Sequence, residues 1–110
     1  MKASESTQGK IPASPSISNI LRALNHPVRR GIMRQLNESG VTFSPAELAD
    51  ELHKPVNKTS YHTMVLKKAG MIRLVRKGYT RGAIQHFYAS NVAEDKRVKT
   101  ILAESQAEDG

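Results

Sequence analysis

Between Ser44 and Gly70 the chain reads SPAELADELHKPVNKTSYHTMVLKKAG, two stretches of helical periodicity interrupted by a proline. Ser44, Pro45 and Glu47 form a capping box with proline at the first helical position, so a helix starts there. Leu48, Ala49 and Leu52 give it one apolar stripe on about two turns. Pro55 forbids its continuation, because proline has no N–H to give a helix interior. Asn57 is then placed to cap a second helix by accepting from an orphan backbone N–H. Gly70 stands where that helix needs a residue of positive φ to end.

On the second helix Thr59, Thr63 and Leu66 share one face, with His62 at its edge. Lys58, Ser60, Tyr61, Met64 and Lys68 share the other. Two short helices joined by a tight break, the second polar, hydroxyl-rich and basic on its outer face, describe a helix-turn-helix. Such a face suits the DNA major groove. An ordinary helical hairpin with a solvated face has the same local pattern, so the surrounding chain must separate the two readings.

Charge is the first separator. The formal charge is +7, from 17 Lys and Arg against 10 Asp and Glu. From Leu52 to Ala93 stand eight basic residues (Lys54, Lys58, Lys67, Lys68, Arg73, Arg76, Lys77 and Arg81) and no acid, whereas Val41 to Glu51 has three acids and no base. A basic block lying on the second helix points to an anionic partner, phosphate first. An anionic membrane is the weaker option, since no apolar run approaches a spanning helix. There are no cysteines, which excludes disulfide scaffolds and thiolate metal sites and fits a reducing cytosol. The first ten residues lack an apolar signal core.

The remaining pattern is as follows. Residues 1–16 are expected to be a disordered arm rich in Ser, Pro and Gly. A helix over Ile17–Leu24, capped by Ser16 or Ser18, carries Ile17, Ile20, Leu21 and Leu24. Pro27 opens another, to about Asn37, with Val28, Ile32, Met33 and Leu36 inward and Arg29, Arg30 and Arg34 outward. Val41-Thr42-Phe43 reads as a small strand. After Gly70 the period changes to two, placing Ile72 and Leu74 on one side and Arg73, Val75 and Lys77 on the other. Gly78 to Gly82 reads as a glycine-bracketed turn and Ala83–Ala89 as a second strand, together the basic wing of a winged helix. Either Ile84, His86 and Tyr88 or Gln85, Phe87 and Ala89 face the core; the pattern leaves that open. Residues 91–105 read as a last helix with Asn91 as cap, and 106–110 as a disordered tail. The fold class expected is mainly α with a small β-hairpin, a winged helix-turn-helix over residues 17–90.

This order of elements resembles the arsenical-resistance-repressor (ArsR-like) family of winged helix-turn-helix transcriptional regulators. The residues that carry the resemblance are Ala23-Leu24-Asn25-His26-Pro27-Val28-Arg29-Arg30, then Leu48-Ala49 and Leu52, Ser60-Tyr61-His62, and Val65-Leu66-Lys67-Lys68-Ala69-Gly70 with Ile72. Arg81-Gly82-Ala83-Ile84-Gln85-His86-Phe87-Tyr88 is similar to the wing of one sub-branch. The resemblance implies a homodimeric regulator that presents paired recognition helices to an imperfect palindrome, with the outer helices forming the dimer contact. Two positions depart from the family pattern: Lys54 stands for an aliphatic residue in the turn, and Thr59 for a core valine. Lys54 can lay its stem on the core and keep its ammonium in water.

On this reading the function is sequence-specific double-stranded DNA binding in transcription regulation, as a cytoplasmic, nucleoid-associated repressor. The recognition helix, about residues 57–69, enters the major groove, and the wing, 76–83, meets flanking backbone or minor groove. Asn57, Lys58 and Lys68 would meet phosphates; Ser60, Tyr61 and Met64 would meet base edges, with His62 a further candidate. Lys77, Tyr79 and Arg81 would serve from the wing. Arg29 and Arg30 are either phosphate contacts or plain solvation. No metal or other cofactor is expected: the last helix contains no histidine, and His26, His53, His62 and His86 show no i, i+4 pairing. No enzyme is expected either, for want of paired carboxylates beside a histidine, a phosphate loop or a nucleophile arrangement. The alternative is a winged-helix adaptor that docks proteins without specific DNA binding.

Overall fold

Capping sets most of the helix starts. Ser16 accepts from the Asn19 N–H at 3.1 Å and opens α1, Ile17–Ala23. His26 accepts through Nδ1 from the Val28 N–H at 3.1 Å and opens α2, Pro27–Ser39, with Pro27 in the first turn. Ser44 and Glu47 exchange side-chain bonds with each other's backbone and open α3, Pro45–Leu52. The chain continues through α4 (Val56–Lys68), an antiparallel hairpin of β1 (Ile72–Thr80) and β2 (Ala83–Ser90), α5 (Lys96–Glu104) and α6 (Gln106–Asp109). The computed structural model describes residues 14–40 and 42–110. Within them the architecture is the expected one, mainly helical with a two-stranded wing.

The core gathers one or more apolar residues from every major element. Ile20 and Leu24 of α1, Ile32, Met33 and Leu36 of α2, Leu48 of α3, Leu66 of α4, Ile72 of β1, Tyr88 of β2, and Val98 and Leu102 of α5 are buried together. Ile17 and Leu21, expected on the inward stripe of α1, are instead 48% and 55% exposed. Thr59 and Thr63 are fully buried, and each hydroxyl donates to a carbonyl four residues back, Pro55 O at 3.0 Å and Thr59 O at 2.7 Å. That back-bonding lets threonine stand at a core position without an unpaired polar group.

Several boundaries differ from the sequence reading, each for a local reason. The helix before the turn closes two residues ahead of Pro55: His53 takes a left-handed φ of 56°, and the Lys54 N–H reaches Ala49 O at 3.0 Å, which is a Schellman ending. Asn57 is not the cap of α4. Pro55 holds that position without a side-chain bond, and Asn57 lies inside the first turn. Asn91 does not cap the last helix, which Asp95 opens by accepting from the Arg97 N–H. Asn91 is used elsewhere, donating to Gly70 O at 3.0 Å and accepting from Arg73 at 2.8 Å, and so pins the exit of α4 to the end of the hairpin.

The expected tail at 106–110 is ordered, with Asp109 held by two arginines. Arg30 and Arg34 are therefore not outward solvated residues. Arg30 donates to both Asp109 carboxylate oxygens at 2.7 and 2.8 Å and to Leu24 O at 2.9 Å. Arg34 donates to Asp109, Leu102 O and Ser105 Oγ at 2.8, 2.9 and 2.9 Å. Of the expected strand at 41–43, Val41 lies outside the described residues, and Phe43 makes a single bridge with Tyr88. The expected arm at 1–16 lies outside them up to residue 13. Pro15 is buried, and its carbonyl accepts from Arg97 at 3.0 Å.

Candidate nucleic-acid interface

The exposed row of α4 follows from what its other side must bury. With Thr59, His62, Thr63 and Leu66 inward, the helical repeat leaves Asn57, Tyr61, Met64 and Lys68 in line on the outside, with Lys58 beside them. Tyr61 is 63% exposed and Met64 41%, unusual for side chains of that size unless something covers them. Ser60 is half-buried at the edge of the row. The first turn of α4 has no side-chain cap, so its backbone N–H groups face outward beside Asn57 and Lys58.

The wing joins this row through a register change. Leu74 pairs with Tyr88 but Arg76 pairs with Phe87, so Val75 is an extra residue, a β-bulge. Without it, strict alternation would put Arg76 and Gly78 on the core side of the strand. With it, the parity flips: Lys77 and Tyr79, opposite His86 and Ile84, lie on the same face of the hairpin as Ile72, Leu74 and Tyr88. The expected placement of Lys77 with Arg73 is thus corrected. The open question of β2 resolves in favour of the Ile84, His86 and Tyr88 face, of which Tyr88 alone is buried. The Tyr88 hydroxyl donates to Met64 Sδ at 4.0 Å, so this face of the wing runs on from the outer row of α4.

On the opposite face the Arg76 guanidinium lies 3.9 Å above the Phe87 ring. A Cβ on Gly78 would come within 3.0 Å of that ring, which is why the strand carries glycine there rather than at a turn. The turn itself is shorter than Gly78–Gly82. It is Arg81 and Gly82, with φ of 53° and 80°, between the paired Thr80 and Ala83. Two successive positive φ values are the type I′ geometry that matches strand twist, and Arg81 occupies a position usually given to Asn, Asp or Gly.

Behind α4 lies a cluster that the sequence reading did not assemble. Arg29 donates from Nε to Ala23 O at 2.7 Å, from Nη2 to Arg22 O at 3.5 Å, and from Nη1 to His62 Nδ1 at 3.2 Å. The His62 and His26 rings sit 4.2 Å apart. His62 is 8% exposed, behind the outer face rather than on it. Burial holds the imidazole of His62 below its ordinary pKa, helped by His26, Arg29 and Lys58. Burial likewise lowers that of His26, helped by Arg29 and Arg30. In the sequence the cue was His26-Pro27 before a helix: histidine at an N-cap must accept, so its ring is uncharged and can pack against another.

A family model described as a helix-turn-helix domain matches residues 24–75. An uncharacterised HTH-type transcriptional regulator of Methanocaldococcus jannaschii is 33% identical over 85 residues, covering 77% of this chain and 85% of the relative. The HTH-type transcriptional repressor SmtB of Mycobacterium tuberculosis is 44% identical over 59 residues, 54% of this chain and 42% of that repressor. The chain belongs to the HTH-type transcriptional regulators.

Solved structures agree on the fold of this regulator. A homodimeric winged helix-turn-helix DNA-binding domain from Mycobacterium bovis superposes with a TM-score of 0.60 at 17% identity, over 84% of this chain and 76% of that one. NolR of Sinorhizobium fredii gives 0.55 at 19% identity, over 100% and 96%. In this regulator Asn57, Lys58, Tyr61, Met64 and Lys68 stand together on α4, with Ser60 at the margin. Lys77 and Tyr79 share the adjoining wing face, and Arg81 is at the wing tip. Among the described residues, no group of three or more His, Asp or Glu side chains could hold a metal, and no helix is long and apolar enough to cross a membrane.

Proposed function

We propose that this regulator is an ArsR-like, sequence-specific repressor that grips double-stranded DNA as a homodimer, in the cytoplasm and against the nucleoid. What carries the reading is that one acid-free stretch of the chain supplies both the outer row of α4 and the Lys77 and Tyr79 face of the wing, which meet at Met64 and Tyr88. Lys58, Lys68 and the uncapped first turn of α4 at Asn57 meet phosphates and set the register. Ser60, Tyr61 and Met64 meet base edges or the thymine methyl in the major groove. Lys77, Tyr79 and Arg81 reach flanking backbone or minor groove. Repression is supported by the likeness to SmtB, which is named as a repressor.

The dimer reading rests on Ile17 and Leu21, exposed on α1 beside Ile101 of α5 along one open groove. Two such grooves facing each other bury the apolar stripes that a single chain leaves wet and pair two reading helices on one side. The test is selection of bound duplexes from a random pool, followed by a salt titration on the selected sequence. With about six phosphates neutralised per dimer, log affinity falls against log salt with a slope of about −5. A flat response between low and moderate salt, or a pool that never enriches, sinks the proposal.

A further inference from the structure

We propose that Arg29 is a positioning residue for DNA reading: it holds α4 at its working angle by donating to an uncharged His62, and it ties that helix to the C-terminal end of α1. The inference rests on the reading of α4 as the DNA-reading helix. Its geometry stands without that reading. A guanidinium has donors and no acceptor, so the 3.2 Å contact from Nη1 requires a bare lone pair on His62 Nδ1 and places the imidazole proton on Nε2. The same guanidinium is fixed by Ala23 O at the end of α1, and by Arg22 O, which also accepts from the Asn25 N–H at 3.4 Å.

His26 completes the clasp. Its Nδ1 also must accept, from the Val28 N–H, and its ring packs on His62 with centroids 4.2 Å apart. Two imidazoles in contact, each committed to accepting at Nδ1, make an arrangement that exists only while both are neutral. The charged and titratable groups around them are Arg29 and Arg30 on α2, Lys58 and Tyr61 on α4, and His53 and Lys54 of the turn, with no carboxylate among the residues lining that cleft. A proton on either ring meets donors and cations on every side. The clasp then opens, and α4 loses its polar tie to α1, the helix on which the proposed dimer contact also lies, leaving only their shared apolar packing.

This separates Arg29 from an ordinary phosphate contact, because a tether of the reading helix affects recognition of sequence more than attraction to phosphate. The experiment compares wild type, Arg29→Lys and His62→Asn on the selected duplex and on a random duplex, at pH 7.5 and 5.5, with the salt slope measured for each. Lysine keeps the charge and loses the fork that reaches three acceptors at once. Arg29→Lys is expected to lose about tenfold on the selected duplex, the cost of about one base contact, with random-duplex affinity and salt slope unchanged. His62→Asn offers Oδ1 near the place of Nδ1 and cannot titrate. Its preference should fall less between pH 7.5 and 5.5 than that of the wild type.

Nitrogen NMR of the unliganded wild type at pH 7.5 should show His62 protonated at Nε2 and bare at Nδ1. Three results would overturn the assignment: equal losses on both duplexes with a shallower salt slope in Arg29→Lys, the same acid loss in His62→Asn as in wild type, or an Nδ1–H tautomer. A wild type that prefers no duplex would refute the proposed function instead, and the NMR measurement would still decide the clasp.

Discussion

The carboxylate of Asp109 closes on Arg30 with oxygen–nitrogen distances of 2.7 and 2.8 Å, across 79 positions of sequence. Arg34 joins from the next turn of α2 at 2.8 Å. This fork holds α6 against α2 and satisfies Leu24 O and Leu102 O on the way.

Asp109→Asn keeps the shape and removes the charge, so it should cost about 1–2 kcal/mol, as for hydrogen bonds to charged groups. Arg30 first, with Arg34, holds the Asp109 carboxyl far below its ordinary pKa of 3.8. Its contribution is thus complete above that value and is lost as pH falls below it, when the unfolded chain binds the proton first. Urea unfolding at pH 7 and pH 3 checks this: the mutant penalty should shrink at pH 3.

The His26 and His62 rings predict an acid loss of a different origin. Both are held below their ordinary value of 6.5 by burial first. As pH falls through that value the unfolded chain takes up protons that the folded one refuses, so stability is full above about 6.5 and declines below. His26→Asn keeps a good N-cap acceptor and should retain pH 7 stability with less acid loss, whereas His26→Ala should cost about 1 kcal/mol at pH 7. Thermal unfolding from pH 7.5 to 5 separates them.

Arg81 sits at a left-handed φ of 53° in the wing turn, where a side chain costs about 1 kcal/mol that Asn largely avoids. Arg81→Asn should therefore raise the melting temperature by about 4 °C and, on the proposed function, weaken binding to selected and random DNA alike. A variant both more stable and equally tight would remove Arg81 from the interface.

Lys58 and Tyr61 adjoin on the exposed side of α4 but are assigned different work. Lys58→Ala should weaken all duplexes by a similar factor and make the salt slope shallower by about 1. Tyr61→Ala should change which sequence a random pool yields, with a cost of about 1–3 kcal/mol on the original site. Repeating the selection with each variant is the measurement.

Leu21, 55% exposed on α1, is the simplest probe of the dimer. Leu21→Glu puts charge at the centre of the proposed contact and leaves the core untouched. Light scattering should then give a mass near 12.1 kDa where the wild type gives twice that, and affinity for the palindrome should collapse.

Much of this was legible because it depends on neighbours a few residues apart. The capping box at Ser44, the proline at the start of α2, the buried Thr59–Thr63–Leu66 face and the wing hairpin all come from spacing on a single element. The misplaced arginines left no such signal. Arg29, Arg30 and Arg34 read as outward-facing, the first two either as phosphate contacts or as solvated residues, because a helix pattern records only which side is apolar, and their partners lie on α1, α4 and the C-terminal segment.

Sequence by itself therefore determined the element order, the two-helix reading unit and its basic outer surface, since capping, periodicity and charge act at short range along one chain. Tertiary structure alone decided that His62 turns inward to a guanidinium, that Asn91 serves the wing instead of a helix start, and that Lys77 shares a face with Tyr88. Each of those depends on which donor meets which acceptor once distant segments have packed, and no local pattern encodes that meeting.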